Sequence, residues 1–261
     1  MLNYILVASF TLGFTFFGNS QARFSHEVGA FVGGVAFQSD FGQRYDFETN
    51  SGNVGYAVGL VHYLNFSYTE ACPSCVGIRH TYIREHFKVR SEFSYNSTSL
   101  KHYGEWVNPV KTSLAANQLR AMKGFAKVMD LGMQIEYYPF NIEEFSNTNG
   151  SFGPFIALGG HYSSFKNGTY SELGPLNLAY TTPVKYMNAT SSTGGNTWSV
   201  VSSVGTRYKL SLLSDLFVEL RWQYYFTDWV DGLKPDPAVY TENWANDWNL
   251  WLNVGYIYYI P

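Results

Sequence analysis

Two cysteines are the residues whose chemistry is easiest to name. Cys72 and Cys75 are the only cysteines of the chain and stand in a Cys-Pro-Ser-Cys segment. In an exported chain, a pair this close is expected to form a local disulfide. A redox role would need a strand–helix–strand context that this sequence lacks. His80 and His86 follow, so zinc binding is a second interpretation, although the spacing matches no known zinc finger.

A histidine and a serine stand two residues apart at His161 and Ser163, which places both on one face of a strand. A histidine that is oriented by a carboxylate can activate such a serine as a nucleophile, and Glu172 is the candidate carboxylate. The pair resembles the His-x-Ser pair of membrane-embedded lipid A deacylases. The favoured interpretation is polar filling, because the pair lies on the polar face of its strand, away from a lipid substrate.

Several acidic residues lie in or beside the segment 227–246. Carboxylate oxygens are ligands that Ca²⁺ prefers, so the segment is a candidate calcium site, with a solvated acidic loop as the simpler interpretation. No glycine-rich nucleotide motif is present, and the sequence predicts no cofactor and no metal. The acids are Asp228, Asp231, Asp236, Glu242 and Asp247.

These side chains must be positioned by segments that alternate between apolar and polar residues, which is the period of a β-strand. The clearest segment is 216–226, and its polar face includes Glu219 and Arg221. At about eleven residues it is long enough to cross a bilayer when tilted. The segments 198–210 and 248–260 repeat the pattern. The apolar face of the first segment carries Leu216, Val218, Leu220, Trp222, Tyr224 and Phe226.

The remaining strands and their connections follow a regular order. The earlier strands are predicted at 24–37, 53–66, 87–95, 128–139 and 152–165, which makes about eight in all. Long connections are expected at 38–52, 96–125, 166–195 and 227–246, and short ones at 141–151 and 212–215. The connection 67–85 breaks this alternation, and a short helix is expected at 114–122. Long connections at one rim and short ones at the other are typical of outer-membrane barrels.

The composition agrees with a membrane barrel. Charged residues make up only 14% of the chain and aromatic residues 18%, whereas soluble domains have roughly 25% charged residues. No segment reaches the roughly 20 apolar residues that a membrane helix needs. A net charge of −3 gives no indication of a nucleic-acid partner. The sequence therefore predicts an all-β fold, an antiparallel transmembrane β-barrel of about eight strands with a polar lumen.

Ten charged residues fall on the polar faces of the predicted strands. A barrel of about eight strands is only wide enough for its own side chains, and an unpaired charge there would cost several kcal/mol. We therefore expect a plugged lumen held together by ion pairs, with no open pore. The positive members are Lys88, Arg90, Arg207, Lys209 and Arg221, and the negative members are Glu27, Glu92, Asp130, Glu136 and Glu219.

Residues 1–22 have the features of a secretory signal peptide. An apolar core at 4–17 is followed by the small residues Ser20 and Ala22, as a signal peptidase requires, although no Lys or Arg precedes the core. A buried first strand or helix is the alternative. We expect a signal peptide at 1–22 and an outer-membrane barrel at 23–261.

Several runs of the sequence resemble a flavobacterial family of small exported barrels of unknown role. They are HEVG at 26–29, GG at 33–34, VGTRYKLSLLSDLFVELRWQYYFTDWVDGLKPDP at 204–237 and WLNVGYIYY at 251–259. More distantly, the opening strand and the barrel pattern resemble PorG, a barrel associated with the type IX secretion machinery of Bacteroidota. A Tyr-Gly-Asp-like turn follows the glycine pair in PorG-like proteins, whereas here VAFQSD follows, so that match is partial.

The resemblance implies a Bacteroidota outer membrane and suggests a role in secretion or gliding, and it carries no catalytic residues over. The expected function is non-enzymatic: a monomeric barrel that serves as a membrane anchor or scaffold for an envelope complex. Its expected partners are outer-membrane lipid and envelope or secretion-complex proteins. The alternatives are a lipid-modifying hydrolase that uses His161 and Ser163, and a narrow channel or small-solute binder.

Overall fold

The computed structural model describes residues 25–43, 46–66 and 82–260 and shows a closed barrel of eight antiparallel strands. The strands are β1 (Ser25–Gln38), β2 (Val54–Asn65), β3 (Phe87–Lys101), β4 (Met122–Tyr137), β5 (Phe152–Ser171), β6 (Gly195–Ser211), β7 (Ser214–Tyr225) and β8 (Trp248–Ile260). Each strand pairs with the next in the chain, and β1 pairs with β8 to close the barrel. The predicted fold class is confirmed.

Four short helices lie in the described connections. They are α1 (Phe47–Asn50), α2 (Tyr82–His86), α3 (Leu114–Ala121) and α4 (Ile142–Asn147). Ser113 caps α3 by accepting a hydrogen bond from the Ala116 amide, and Asn141 caps α4 through the Glu143 amide. The helix expected at 114–122 is therefore present. None of the helices in the described ranges is long and apolar enough to cross a membrane.

Three strands extend further at one rim than the sequence pattern predicts. The segments 96–101 and 122–125 were expected to belong to a loop, and 166–171 to another, yet they continue β3, β4 and β5. Their outward side chains are mostly serine and lysine. The apolar rhythm therefore ends while the backbone ladder continues, and a prediction based on that rhythm ends the strands too early.

Inward-facing glycines are covered by aromatic rings from the neighbouring strands. Phe31 lies opposite Gly59, Phe155 opposite Gly205, and Phe217 opposite Gly255. A Cβ at each of these glycines would collide with the facing ring. The glycines thus leave room for large rings inside a narrow barrel, and the rings cover backbone that glycine leaves bare.

The outer surface of the barrel is an apolar band. Outward residues of β4 such as Leu131, Met133 and Ile135 are exposed by 63%, 55% and 56%, and nothing in the described chain covers them. Aromatic side chains mark both edges, with Trp198 at one rim and Tyr208 at the other. An exposed apolar band of this kind is suited to contact with lipid acyl chains. In a closed barrel the backbone N–H and C=O groups are hydrogen-bonded between strands, as the interior of a membrane requires. The protein is an outer-membrane barrel.

The two rims differ in their connections. The segments 39–53, 102–121, 172–194 and 226–247 meet at one rim, here called the long-loop rim. The opposite rim carries both ends of the described chain, α2, α4 and the two-residue turn 212–213. In outer-membrane barrels long loops face the outside of the cell, so the long-loop rim is the outer one.

Candidate functional site

Some of the predicted sites lie outside the described residues. The disulfide predicted between Cys72 and Cys75, the zinc interpretation at His80 and the signal peptide at 1–22 all do. His86, the last member of the zinc interpretation, is described: its Nδ1 lies 2.7 Å from the carbonyl oxygen of Tyr138. The site that the structure does describe fully is the lumen.

The lower layer of the lumen, toward the opposite rim, is organised around Glu27. Lys88 Nζ lies 2.6 Å from Glu27 Oε1, and Arg207 Nη1 lies 2.6 Å from Oε2. Arg207 also reaches Glu136 at 3.1 Å, and the Tyr138 hydroxyl donates a hydrogen bond to the same carboxylate. All four ionic side chains are fully buried. Each charge therefore has an opposite charge in contact, as a dry interior requires.

The middle layer is a closed ring of four charges. Arg221 binds Glu92 through two parallel hydrogen bonds of 2.6 and 2.8 Å, and it also contacts Glu219. Arg90 contacts the same two carboxylates at 2.6 and 2.7 Å. Because β3 carries Arg90 and Glu92 and β7 carries Glu219 and Arg221, the Arg221–Glu92 and Arg90–Glu219 bonds cross the lumen between strands on opposite sides. These ion pairs therefore join opposite walls of the barrel.

The membership of the network differs from the prediction at two positions. Asp130 faces the lumen as expected, but its carboxylate accepts hydrogen bonds from Ser163 and Gln223, and no ion pair is found for it among the described residues. Asp215, which the sequence interpretation placed in a turn, is the second residue of β7, is buried and pairs with Lys209 at 3.1 Å. The strand begins two residues earlier than predicted, which puts this acid inside the barrel.

The lumen is closed at both ends by apolar side chains. Ile142 and Phe145 of α4 are buried at the opposite rim, where Ile142 joins a cluster with Tyr138 and Phe155. A larger cluster closes the long-loop rim and combines strand residues with loop residues. It comprises Phe37, Phe41, Leu100, Met122, Ala126, Val128, Phe165, Tyr186, Tyr225, Val230 and Leu233. The sequence analysis did not find these two apolar lids, because each is formed where residues outside the strands pack against strand residues.

The structure does not assemble the catalytic group considered for the hydrolase. Ser163 and His161 are both buried in the lumen, but the Ser163 hydroxyl bonds to Asp130 and Ser199. His161 Nε2 instead lies 3.3 Å from Gln134 Nε2. Glu172 lies at the surface in an ion pair with Lys123, so it does not orient the histidine. The pair fills the lumen, away from lipid.

The acidic residues of the last long loop have structural partners. Asp247 Oδ2 accepts the amides of Val230 and Asp231, and the Asp231 carboxylate accepts those of Asp40 and Leu233. Asp236 accepts the Ala238 amide, and Glu242 pairs with Lys185. In the ranges described, no group of three or more His, Cys, Asp or Glu side chains could hold a metal ion. These carboxylates therefore stabilise the conformation of the loop 226–247.

All four loops of the long-loop rim enclose a cavity of about 650 Å³, called here the rim cavity. Its wall is mostly apolar and includes Phe41, Trp106, Leu114 and Val184. This volume and this lining are typical of sites for small molecules. Sequence reasoning did not find the cavity, because its wall comes from four separate loops.

His102 provides an unusual polar atom in the wall of the rim cavity. Its ring lies between Phe41 and Tyr186, with centroid distances of 5.0 and 5.3 Å. Burial lowers the pKa of His102 to about 3, so the ring is neutral at pH 7. The ring bonds to the Phe41 backbone, while Nε2 is buried and without a hydrogen-bond partner among the described residues. Nε2 is thus an unpaired acceptor that burial also shields from the cavity.

No protein-family profile and no curated protein matches the chain. Among solved structures, the chain is similar to a major outer-membrane protein of Thermus thermophilus, with 12% identity over 90% of this chain and 99% of that one and a TM-score of 0.46. It is also similar to Neisserial surface protein A, with 12% identity over 89% of this chain and 96% of that one and a TM-score of 0.42. A third similar structure is that of the outer-membrane protein OprG of Pseudomonas aeruginosa, with 13% identity over 93% of this chain and 99% of that one and a TM-score of 0.41. Identities and TM-scores this low give no information about function.

Proposed function

We propose that the protein is a non-enzymatic, non-conducting outer-membrane anchor whose long loops present a binding surface. The observation that carries this proposal is the ring of Arg90, Glu92, Glu219 and Arg221, which bridges the lumen between opposite strands. Because the barrel interior is occupied and both ends are covered, activity must lie on the loops, the opposite rim or the lipid-facing surface. A scaffold needs a rigid body in the membrane, and a network of buried ion pairs provides one.

Planar-bilayer recording tests the sealed lumen. The full chain, folded into the bilayer, is expected to give no stepwise conductance, while a general porin in the same bilayer gives open-channel steps. Reproducible current steps from the purified chain would contradict the proposal and favour the narrow-channel alternative.

The partner that we propose is an envelope complex, and the resemblance to PorG makes the type IX secretion or gliding machinery the first candidate. Mild detergent extraction of a tagged chain from its native cells should co-purify the same envelope proteins in repeated preparations. A barrel that emerges alone after chemical crosslinking would contradict the scaffold role. The crosslinking step matters because detergent can separate weak membrane complexes.

A second candidate function is small-molecule binding in the rim cavity. The volume and the mostly apolar wall of the cavity favour a small apolar or aromatic molecule. We expect naphthalene to bind and to change Trp106 fluorescence. Ala115→Trp, which fills the cavity, should abolish binding, while Val110→Trp on the exposed loop should not. Equal binding of naphthalene by all variants would exclude the site.

A further inference from the structure

The extended parts of β3, β4 and β5 place lysines directly opposite one another. Lys127 on β4 lies opposite Lys166 on β5, and Lys101 on β3 lies opposite Lys123 on β4. All four point to the outer face of the barrel, at its long-loop end. Like charges directly opposite each other destabilise a sheet. Two such pairs, separated on β4 by the outward residue Phe125, indicate that something outside the chain compensates the repulsion.

The chain itself supplies little negative charge to this basic patch, defined by Lys101, Lys123, Lys127 and Lys166. Lys123 forms an ion pair with Glu172. Among the ion pairs of the described residues, none joins a carboxylate to any of the other three lysines, and all three are exposed. The patch therefore keeps a net positive charge and free ammonium donors.

The height of the patch places it at the surface of the membrane. Tyr137 marks the lower aromatic edge of the band on β4, and Lys127 lies about ten residues further along that strand. With a rise of ~3.4 Å per residue and a tilt of ~40°, this separation is ~26 Å along the membrane normal, close to the ~25 Å height of a barrel's apolar band. Lys127 and Lys166 thus reach the outer headgroups, and Lys123, with Lys101 opposite it, lies two outward positions further up β4.

The residues around the patch change from apolar to polar at this level. Met129, in the row below Lys127, is 49% exposed and faces hydrocarbon. Phe125, in the row above, is 37% exposed, and Lys127 Nζ lies 5.5 Å from its ring centroid. Ser97, opposite Lys127 on β3, adds a hydroxyl donor. This sequence of acyl-chain contact, ammonium groups and hydroxyl matches a lipid that carries a phosphate on its headgroup.

We propose that the basic patch binds phosphate groups of lipids in the outer leaflet of the outer membrane. A phosphate between Lys127 and Lys166 accepts hydrogen bonds from both ammonium groups and cancels their repulsion. Anionic lipid would then fix the height and rotation of the barrel, with the long loops held above the surface. This site lies on the outer wall and is independent of the lumen and the rim cavity.

The test compares lipid binding by two charge-matched double variants. Lys127→Gln/Lys166→Gln removes the central pair, and Lys111→Gln/Lys234→Gln removes two lysines from loops outside the patch. Each full chain is folded into phosphatidylcholine vesicles with and without diphosphoryl lipid A. Retained lipid A is counted after extraction by native mass spectrometry. At about fivefold per surface lysine, the patch variant should retain about 25-fold less lipid A, and the loop variant should match the unsubstituted chain.

Thermal stability gives an independent readout with a sign that folding defects would not produce. In phosphatidylcholine alone, the patch variant should be at least as stable as the unsubstituted chain, because the repulsion is gone. With lipid A present, the unsubstituted chain should gain more in melting temperature than the patch variant. Equal gains and equal retention in all three chains would overturn the proposal. An equal gain from inorganic phosphate in neutral vesicles would also overturn it, since the ligand would then not be a lipid.

Discussion

Single buried charges are the residues on which this fold depends most directly. Glu219 contacts Arg90 and Arg221 and also accepts a hydrogen bond from the Asn253 amide. Removing one partner from a buried ion pair leaves an uncompensated charge, which costs far more than the pair contributes. The network is therefore a stronger constraint on the sequence than its net contribution to stability suggests.

Glu219→Gln tests this constraint. The substitution keeps the size of the side chain and leaves two arginines with one carboxylate fewer, so we expect the free energy of unfolding to fall by about 3–5 kcal/mol. Urea unfolding in vesicles, followed by tryptophan fluorescence, measures the change. Glu105→Gln, which breaks an exposed pair with Lys111, is the control and should have little effect. Equal small effects would show that the lumen is hydrated.

His102 makes stability depend on pH at the long-loop rim. Its pKa is about 3 in the folded chain because the ring is buried, and the neighbouring Lys185 lowers it further, against about 6.5 in an unfolded chain. As the pH falls, the unfolded chain takes up this proton first. The stabilising contribution is therefore complete above about pH 6.5 and is lost progressively as the pH falls toward about 3.

His102→Gln should flatten this part of the pH profile. We expect the difference in stability between the unsubstituted chain and the variant to shrink steadily from pH 7 to pH 4, as measured by urea unfolding at each pH. Carboxylates that titrate in the same range affect both chains and cancel in the difference. A constant difference across this range would show that unfolding does not change the protonation of the His102 ring.

Strand pairing explains why two adjacent glycines of β1 have different importance. Gly33 faces inward, and a Cβ there would lie 2.6 Å from the carbonyl oxygen of Leu252 and still closer to the Asn253 side chain. Gly34 faces outward, and a Cβ there would meet nothing within 4 Å. The close approach occurs at the β1–β8 seam, where the first and last strands close the barrel.

Gly33→Ala and Gly34→Ala are therefore a matched pair. The first should force the β1–β8 seam apart and destabilise the barrel by about 1–3 kcal/mol, as overpacking of a filled interior does. The second should be neutral or slightly stabilising, because alanine restricts the unfolded chain. Heat-dependent mobility on gels, which separates folded from unfolded barrels, gives both results. Equal behaviour of the two variants would contradict the assigned facing of β1.

At the scale of the whole molecule, the barrel carries its long loops at one rim. The long loops share an apolar cluster, the rim cavity and the ion pair between Lys185 and Glu242, so they form one cap above the barrel. Among the described residues, the opposite end carries two short helices, α2 and α4, and a tight turn. The binding surface that we propose lies at the capped end.

Labelling of intact cells tests that orientation. Ser192→Cys lies exposed in a long loop, and Thr148→Cys lies exposed at the opposite rim. A membrane-impermeant maleimide should modify the first variant on intact cells and the second only after lysis. The unsubstituted chain reports any background from Cys72 and Cys75. Labelling of Thr148→Cys on intact cells would invert the orientation.

The alternation of side chains determined much of this protein by itself. Period-two patterning places Leu216, Glu219 and Arg221 on the faces that the structure shows, because successive side chains of any strand must point to opposite sides. The predicted strand number followed from counting such segments. The narrowness of an eight-stranded barrel then required opposite charges inside it to pair. These are local or counting arguments, and they need no knowledge of which strands meet.

Only the tertiary structure decided which charges meet and what surrounds them. Asp215 pairs with Lys209 directly across the β6–β7 hairpin, so this ion pair depends on where β7 begins and on the hairpin register. The ring from Arg90 to Glu219 depends on strands more than a hundred residues apart. The rim cavity, the apolar lids and the opposed Lys127 and Lys166 likewise arise from register and loop packing. A sequence pattern repeats along one strand, whereas these features depend on relations between strands.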